Sequence, residues 1–537
     1  MQVPPMGRAY YGPAFFGELI QIVAELRQMK YRDQDIKKQI RKLIRYLVKL
    51  PVINGGGFCG FFPNMCGDEV MVRKTSWSVL PILILISFSG FYLRYESVIE
   101  TIVDRPLRAD AGQYFMYAYN LRHKHTYSGE IGDPGDLGSS VAPDAFRSPG
   151  YPLFLMPFVD GLPNKKMIER ILISQAIISA LTLIVAFLFF QGFLPVFWGA
   201  IASLLVALSP HLIVTNSYIL TETLFCFLIV LFGWLISLFV IKPFFGLGIM
   251  IGSITGIACL VRPSLQYFPI IMTFFLVFHF GWRKGLHYLA FMFIGFAVVF
   301  APWIARNIVT LKIATDKRQM ITFLRHGMYP NFTFDDVTES YGFPYRYDPR
   351  SKEIGKDVPS ILKEISRRFH QETLKHTKWF LLGKPVAFWS WDIIQGFGDA
   401  FVYPVLKSPY FYNRYFQWTH FLMYVFHWSS VVLSLFGCLM AWFPLSMIGL
   451  TKESICVARF ASLLLTYYTL VHMVGVPLPR YSVPLRPFLY GMALFTPHLL
   501  ISCIRKHRGF QKFIGDTTLH PPIFPTWKKH KIPQENS

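Results

Sequence analysis

Between residues 171 and 221 the chain carries no Asp, Glu, Lys or Arg. A bilayer span takes about 20 mostly apolar residues, so this stretch is long enough for two. A helix in a soluble core does not run so far without a charge. Further charge-free stretches follow at 223–241, 243–261, 263–282 and 285–305, each parted from the next by one charge or a short basic pair. Upstream, 77–95 reads as a first span, and 418–447, 455–475 and 482–503 supply three more. The pattern predicts an all-α polytopic membrane protein of about ten transmembrane helices. Composition agrees: 53% of residues are hydrophobic and 16% charged, where soluble domains carry roughly a quarter charged. A soluble globular chain, a disordered one and a disulfide-stapled scaffold are excluded.

The basic residues give an orientation. Arg73 and Lys74 precede the first span, Arg283 and Lys284 lie between the sixth and seventh, and Lys452 between the eighth and ninth. Arg505, Lys506, Arg508 and Lys512 follow the last. Alternation from a cytoplasmic N-terminus puts all of these inside, as positive-inside bias requires. The long polar segments 96–167 and 306–414 then fall on the outer side. Each contains a short apolar stretch, 151–162 and 379–391, predicted to be an interfacial or re-entrant helix, with a plain surface loop as the alternative.

The formal charge of +22 is therefore no nucleic-acid footprint. Residues 1–74 hold 12 Lys/Arg against 6 Asp/Glu, and residues 504–537 hold 7 against 2. Three regions follow: a basic cytoplasmic segment 1–74, a membrane domain 75–503 and a basic cytoplasmic tail 504–537. In the first, Ile36, Ile40, Leu43 and Leu47 repeat at helical spacing among Lys37, Lys38, Arg41, Lys42 and Arg45, predicting a basic amphipathic helix on the inner leaflet. Met71-Val-Arg-Lys before the first span equally reads as a start site, which would make this segment an extension. The cysteines show neither metal spacing nor a disulfide framework.

Acidic residues near the spans are few, and each is a functional candidate. Asp110 opens a helical pattern in which Tyr114, Ala118 and Leu121 share a face. It reads either as an N-cap paired with Gln113 or as a carboxylate able to take a proton from a hydroxyl. Glu222 stands between two charge-free stretches at the outer start of the fourth span, as a helix N-terminal acid or a functional one. Arg147 immediately precedes a rigid turn built on Ser148, Pro149, Gly150 and Pro152, which holds it at the membrane surface, suited to phosphate or to headgroup snorkelling. Arg262, Arg306 and Arg480 also fall on the outer side, against the positive-inside bias. Arginine binds phosphate bidentately, so dispersed arginines with isolated carboxylates suit a phosphate-bearing substrate arriving from the membrane.

The motifs DAGQYFMYAYNL, RSPGYPLFL, TETLF, RPS, PWIARN and RYSVP, in this order over roughly residues 75–500, resemble the GT-C membrane glycosyltransferases. The resemblance is to the branch of the protein O-mannosyltransferases and the lipid A aminoarabinose transferase. It implies a GT-C-like fold over 75–503 and inverting transfer of a sugar from a polyprenyl-phosphate donor to a glycan, lipid or protein acceptor. Asp110 would be the catalytic base and Glu222 the second outer acid, which orients the acceptor or helps to hold a divalent metal ion. Arg147, Arg262, Arg306 and Arg480, with Tyr114, would bind substrate. The resemblance also implies a bacterial inner membrane, with the site facing the periplasm or cell exterior. Two motifs depart from the family. Asp110-Ala111 stands where the mannosyltransferases usually have Asp-Glu. Phe146-Arg147-Ser148-Pro149 replaces their His- or Glu-containing motif. Metal use and the identity of the sugar therefore stay open. The alternative class is a polytopic transporter or flippase for a lipid-linked or anionic substrate, in which ionisable groups would gather near mid-membrane.

Overall fold

The computed structural model describes residues 80–131, 140–445 and 449–517, with side chains as far as 504; all lie within the unit Thr75–Ser537. The predicted helix at 36–47, Cys59, Cys66 and the tail beyond 517 lie outside the described residues.

The molecule is helical. Helix α1 (Leu80–Glu100) is the first span. The first polar segment then forms α2 (Ala109–His123) and the short α3 (Gly150–Leu155). Next come α4 (Lys165–Phe190), α5 (Val196–Leu208), α6 (Pro210–Val214), α7 (Glu222–Ile241), α8 (Phe245–Val261), α9 (Phe268–Phe280) and α10 (Trp282–Leu311). The second polar segment holds α11 (Arg318–Gly327) and α12 (Val358–Gln371). Helices α13 (Arg414–Val425), α14 (His427–Met440), α15 (Lys452–Val474) and α16 (Arg486–Thr517) are the last of the described elements. Among the described residues seven helices are long and apolar enough to cross a membrane, and up to nine spans result if the bent pairs α5–α6 and α13–α14 each count as one. The tenth expected span is α8, apolar but only 17 residues long. Both short apolar stretches of the polar segments are helical rather than plain loops. The first is α3 with a 3-10 turn at Met156–Phe158; the second is a π-helical turn at Trp379–Gly383 running into Lys384–Phe388.

The break between α5 and α6 shows how a buried backbone is satisfied here. Pro210 has no N–H to offer the carbonyl of Val206, one turn back, so the helix bends by 53°. Arg94 of α1 supplies the missing donors: its Nη2 donates to Val206 O and its Nη1 to Ala207 O, both at 3.0 Å, while Nε donates to Ser179 Oγ at 2.7 Å. Polar backbone groups away from water must find such partners. One guanidinium thereby ties α1 to both α4 and α5. The two polar segments are also joined, by an antiparallel pair of short strands, β1 (Ile102–Val103) and β2 (Val405–Lys407).

Helices α8 and α10 pack backbone to backbone. A Cβ on Gly252 would lie 1.8 Å from Met292 O, and one on Gly295 2.0 Å from Ile249 O. Such small-residue contacts carry helix association where lipid removes the hydrophobic drive. Gly252→Val is expected to separate the pair at a cost of about 3 kcal/mol or more, read as a lowered thermal unfolding temperature in detergent. Gly161→Ala, with open space around it, is expected to leave that temperature unchanged.

Candidate functional site

Five segments separated in sequence deliver charged side chains to one place. Asp110 comes from the first turn of α2, entered through Ala109 in the left-handed region at φ 48°. Arg147 precedes α3, where Gly150 allows close approach: a Cβ there would meet the backbone of Leu260 and Val261 at 2.7 Å. Glu222 is the first residue of α7, Arg262 caps the C-terminus of α8, and Arg480 sits in the 3-10 helix Pro479–Leu485.

These five side chains form one continuous ion-paired chain. Arg147 Nη2 donates to Asp110 Oδ1 at 2.6 Å, and Arg480 Nη2 to Asp110 Oδ2 at 2.9 Å. Arg480 Nε reaches Glu222 Oε1 at 2.6 Å, and Arg262 Nη2 meets the same oxygen at 2.8 Å. Arg262 Nε also donates to Thr221 Oγ1 at 3.0 Å, and Arg147 donates to Gln113 Oε1 through Nε and Nη2 at 2.8 and 2.6 Å. Asp110 is thus no N-cap: Arg108 holds that position without a side-chain bond, and Gln113 serves Arg147 instead of completing a capping box. Arg147 is likewise paired rather than snorkelling. Its guanidinium lies 5.1 Å over the Tyr114 ring, and Arg262 lies 5.1 Å over Tyr481, so aromatic faces back both cations.

Three guanidinium groups face two carboxylates, leaving the cluster with a net positive charge. Burial by itself would raise the pKa of Asp110, but Arg480 and Arg147 outweigh it and hold that carboxyl at about 2. Glu222 is 1% exposed, and its Oε2 has no hydrogen-bond partner; neither has the buried hydroxyl of Tyr403. A divalent cation does not fit these residues. Asp110 has both oxygens on arginines, Glu222 has one oxygen shared by two, and an ion would sit among three fixed positive charges. Among the described residues no group of three His, Cys, Asp or Glu side chains is placed to hold a metal.

Of the residues singled out from sequence, Asp110, Tyr114, Arg147, Glu222, Arg262 and Arg480 come together. Arg306 does not join them: it donates to the backbone oxygens of Asp144 and Tyr127 at 2.8 and 3.1 Å. Sequence reasoning missed Thr221 and Tyr481, although both adjoin charged residues already identified. It also missed Tyr403, whose segment carries no such signal. A groove of about 460 Å³ lies beside the cluster, with Gln113 in its wall among Leu107, Ala109, Gly112 and Met116. A larger cavity of about 740 Å³ in the second polar segment, bordered by Arg367, Arg368 and Asp348, contains none of the cluster. Its three arginines, Arg350, Arg367 and Arg368, are all spent on Glu364, a buried carboxylate outside the lining.

No family model matches the chain, and no curated protein matches it significantly. Among solved structures it is similar to the archaeal oligosaccharyltransferase AglB from Archaeoglobus fulgidus in complex with an inhibitory peptide and a dolichol-phosphate, with a TM-score of 0.43 and 11% identity over 82% of this chain and 52% of that one. The same enzyme tethered to an acceptor peptide gives a TM-score of 0.44 and 12% identity, again over 82% and 52%. The chain thus spans about half the length of these neighbours, and a likeness of this degree carries no assignment of family or activity.

A carboxyl whose pKa is lowered by folding stabilises the protein fully above its unfolded value near 4, and the contribution fades as pH falls toward about 2. Asp110→Asn is expected to flatten the loss of thermal stability between pH 4 and pH 2. At pH 7 it should cost about 3 kcal/mol, because two guanidinium groups lose their shared carboxylate. Thermal unfolding of both proteins across this pH range checks it.

Proposed function

We propose that the protein is an inverting glycosyltransferase, transferring a sugar from a polyprenyl-phosphate-linked donor to an acceptor hydroxyl on a glycan, lipid or protein. The reaction would take place at the outer face of a bacterial inner membrane. The observation that carries this reading is the ion-paired cluster itself, in which isolated carboxylates and arginines from five separate segments meet at one place. Scattered positions would have spoken for the transporter or flippase.

In this reading Asp110 takes the proton of the acceptor hydroxyl as its oxygen attacks the anomeric carbon. The bond from that carbon to the phosphate oxygen breaks, and the lipid phosphate leaves with the bonding pair. Arg147, Arg262 and Arg480 stabilise the charge that develops on the leaving group, which is typically the largest catalytic contribution of a preorganised site. Glu222 holds Arg262 and Arg480 in place and orients the acceptor. Tyr114 backs Arg147. No step calls for a metal ion, consistent with the poor fit of one between the arginines.

Asp110→Asn is expected to lower transfer from a polyprenyl-phosphate sugar by at least about 100-fold, measured on protein that elutes as a folded species in detergent; full activity would overturn the assignment. Mass spectrometry of cells lacking the gene should show the lipid-linked sugar accumulating and a surface glycan losing a residue. Movement of the lipid-linked sugar across proteoliposomes without any transfer would instead establish the transporter reading.

A further inference from the structure

Arg306 has the residue type of a phosphate ligand but spends its donors on backbone. Its Nη1 donates to Asp144 O at 2.8 Å and to Asn307 Oδ1 at 3.0 Å, and its Nη2 donates to Tyr127 O at 3.1 Å. The two carbonyls bracket one segment of the first polar region, and the Asp144 N–H closes the same neck by donating to Tyr127 O at 3.1 Å. The Asp144 carboxylate is fully engaged within it: Oδ2 accepts the Gly129 N–H and Oδ1 the Phe146 N–H, each at 2.9 Å, and Oδ1 also accepts the Tyr117 hydroxyl. The Tyr127 hydroxyl donates to the carbonyl of Arg147 at 2.9 Å. Rings fill the space between: Tyr117 stacks on Tyr127 at 4.6 Å, and Trp303 meets Tyr127 edge-on at 5.0 Å. Trp303 and Arg306 are three residues apart and so share a face of α10.

We propose that Arg306 is a positioning residue for the transfer reaction, acting through the Asp144–Arg147 segment to hold Arg147 against Asp110, and that Asp144 and Tyr127 are the parts it acts through. The geometry leaves one end of this brace on a membrane helix and the other on the carboxylate cluster. Displacement of α10 is thereby passed to Asp110 without any contact between Arg306 and substrate. The role rests on the glycosyltransferase reading above, whereas the brace itself is a property of the fold.

Two measurements on the full chain separate these. Hydrogen exchange in nanodiscs should show backbone amides at 144–148 exchanging at least about tenfold faster in Arg306→Gln than in wild type, with Arg306→Lys, which keeps a cationic donor group for the carbonyls, recovering part of the protection. Unchanged exchange in Arg306→Gln would overturn the brace. In transfer assays with a polyprenyl-phosphate sugar, loss of Arg147's grip should move the acid limb of the kcat/KM profile up by about one pH unit, while donor KM stays within about twofold. Tyr127→Phe, which removes a single hydroxyl, should shift the limb in the same direction by less. A donor KM raised tenfold with the acid limb unmoved would make Arg306 a phosphate contact and overturn the proposal. Failure of the wild type to transfer any sugar would defeat the glycosyltransferase reading and the catalytic part of this one, with the exchange result still deciding the brace.

Discussion

One guanidinium, that of Arg480, touches both carboxylates of the cluster, through Nη2 on Asp110 and Nε on Glu222. Two carboxylates brought together without it would repel, and one would take up a proton. Three arginines without the carboxylates would repel in turn. The alternation Arg147, Asp110, Arg480, Glu222, Arg262 is what lets five charges share a poorly solvated place. Buried ion pairs return little net stability once desolvation is counted, and replacing them with apolar side chains is often neutral. On the glycosyltransferase reading, a cluster of this size in a chain only 16% charged serves what it binds more than what it stabilises.

The surroundings hold that alternation by the same means that repair the helix breaks: cationic side chains donating to stranded carbonyls. Arg94 does so at Pro210. Lys384 does so at the end of α15, where its Nζ donates to Met473 O and Val474 O at 2.9 and 3.3 Å. Beyond that end, Gly327 of α11 packs on Gly475 so closely that a Cβ would lie 2.2 Å from Gly475 O. Five residues on stands Arg480. The second polar segment is thus pinned to the short connection that carries the central arginine, just as the β1–β2 pair pins it to the segment that carries Asp110.

The spans were legible because the absence of charge over twenty residues has one main physical cause; the helix ends were less so, since α16 continues to Thr517 and α10 to Leu311, beyond their apolar stretches. Asp110, Glu222 and the arginines were legible for the complementary reason, that ionisable groups at span ends are costly and few. Their pairing was not. Arg480 and Glu222 are 258 residues apart, and nothing local distinguishes Arg306, which grips backbone, from Arg262, which meets a carboxylate. Local pattern also favoured a capping role for Asp110 that the tertiary partners Arg147 and Arg480 displaced. Tyr403 had no signal, since its place beside the cluster is set by β2 and not by its neighbours in sequence.

On the glycosyltransferase reading, the paired state has a consequence for the order of events. A carboxylate held near a pKa of 2 by two arginines is a weak base at neutral pH, since general bases work best near the operating pH. The groups that weaken it are the same ones suited to phosphate. A lipid phosphate that draws Arg147 or Arg480 to itself frees an oxygen of Asp110 and lets burial raise its basicity. An acceptor hydroxyl, being neutral, has no such pull on the guanidinium groups. Donor binding would therefore switch on the base that the acceptor needs, and acceptor deprotonation would follow donor capture for electrostatic reasons alone, without any larger movement of the helices.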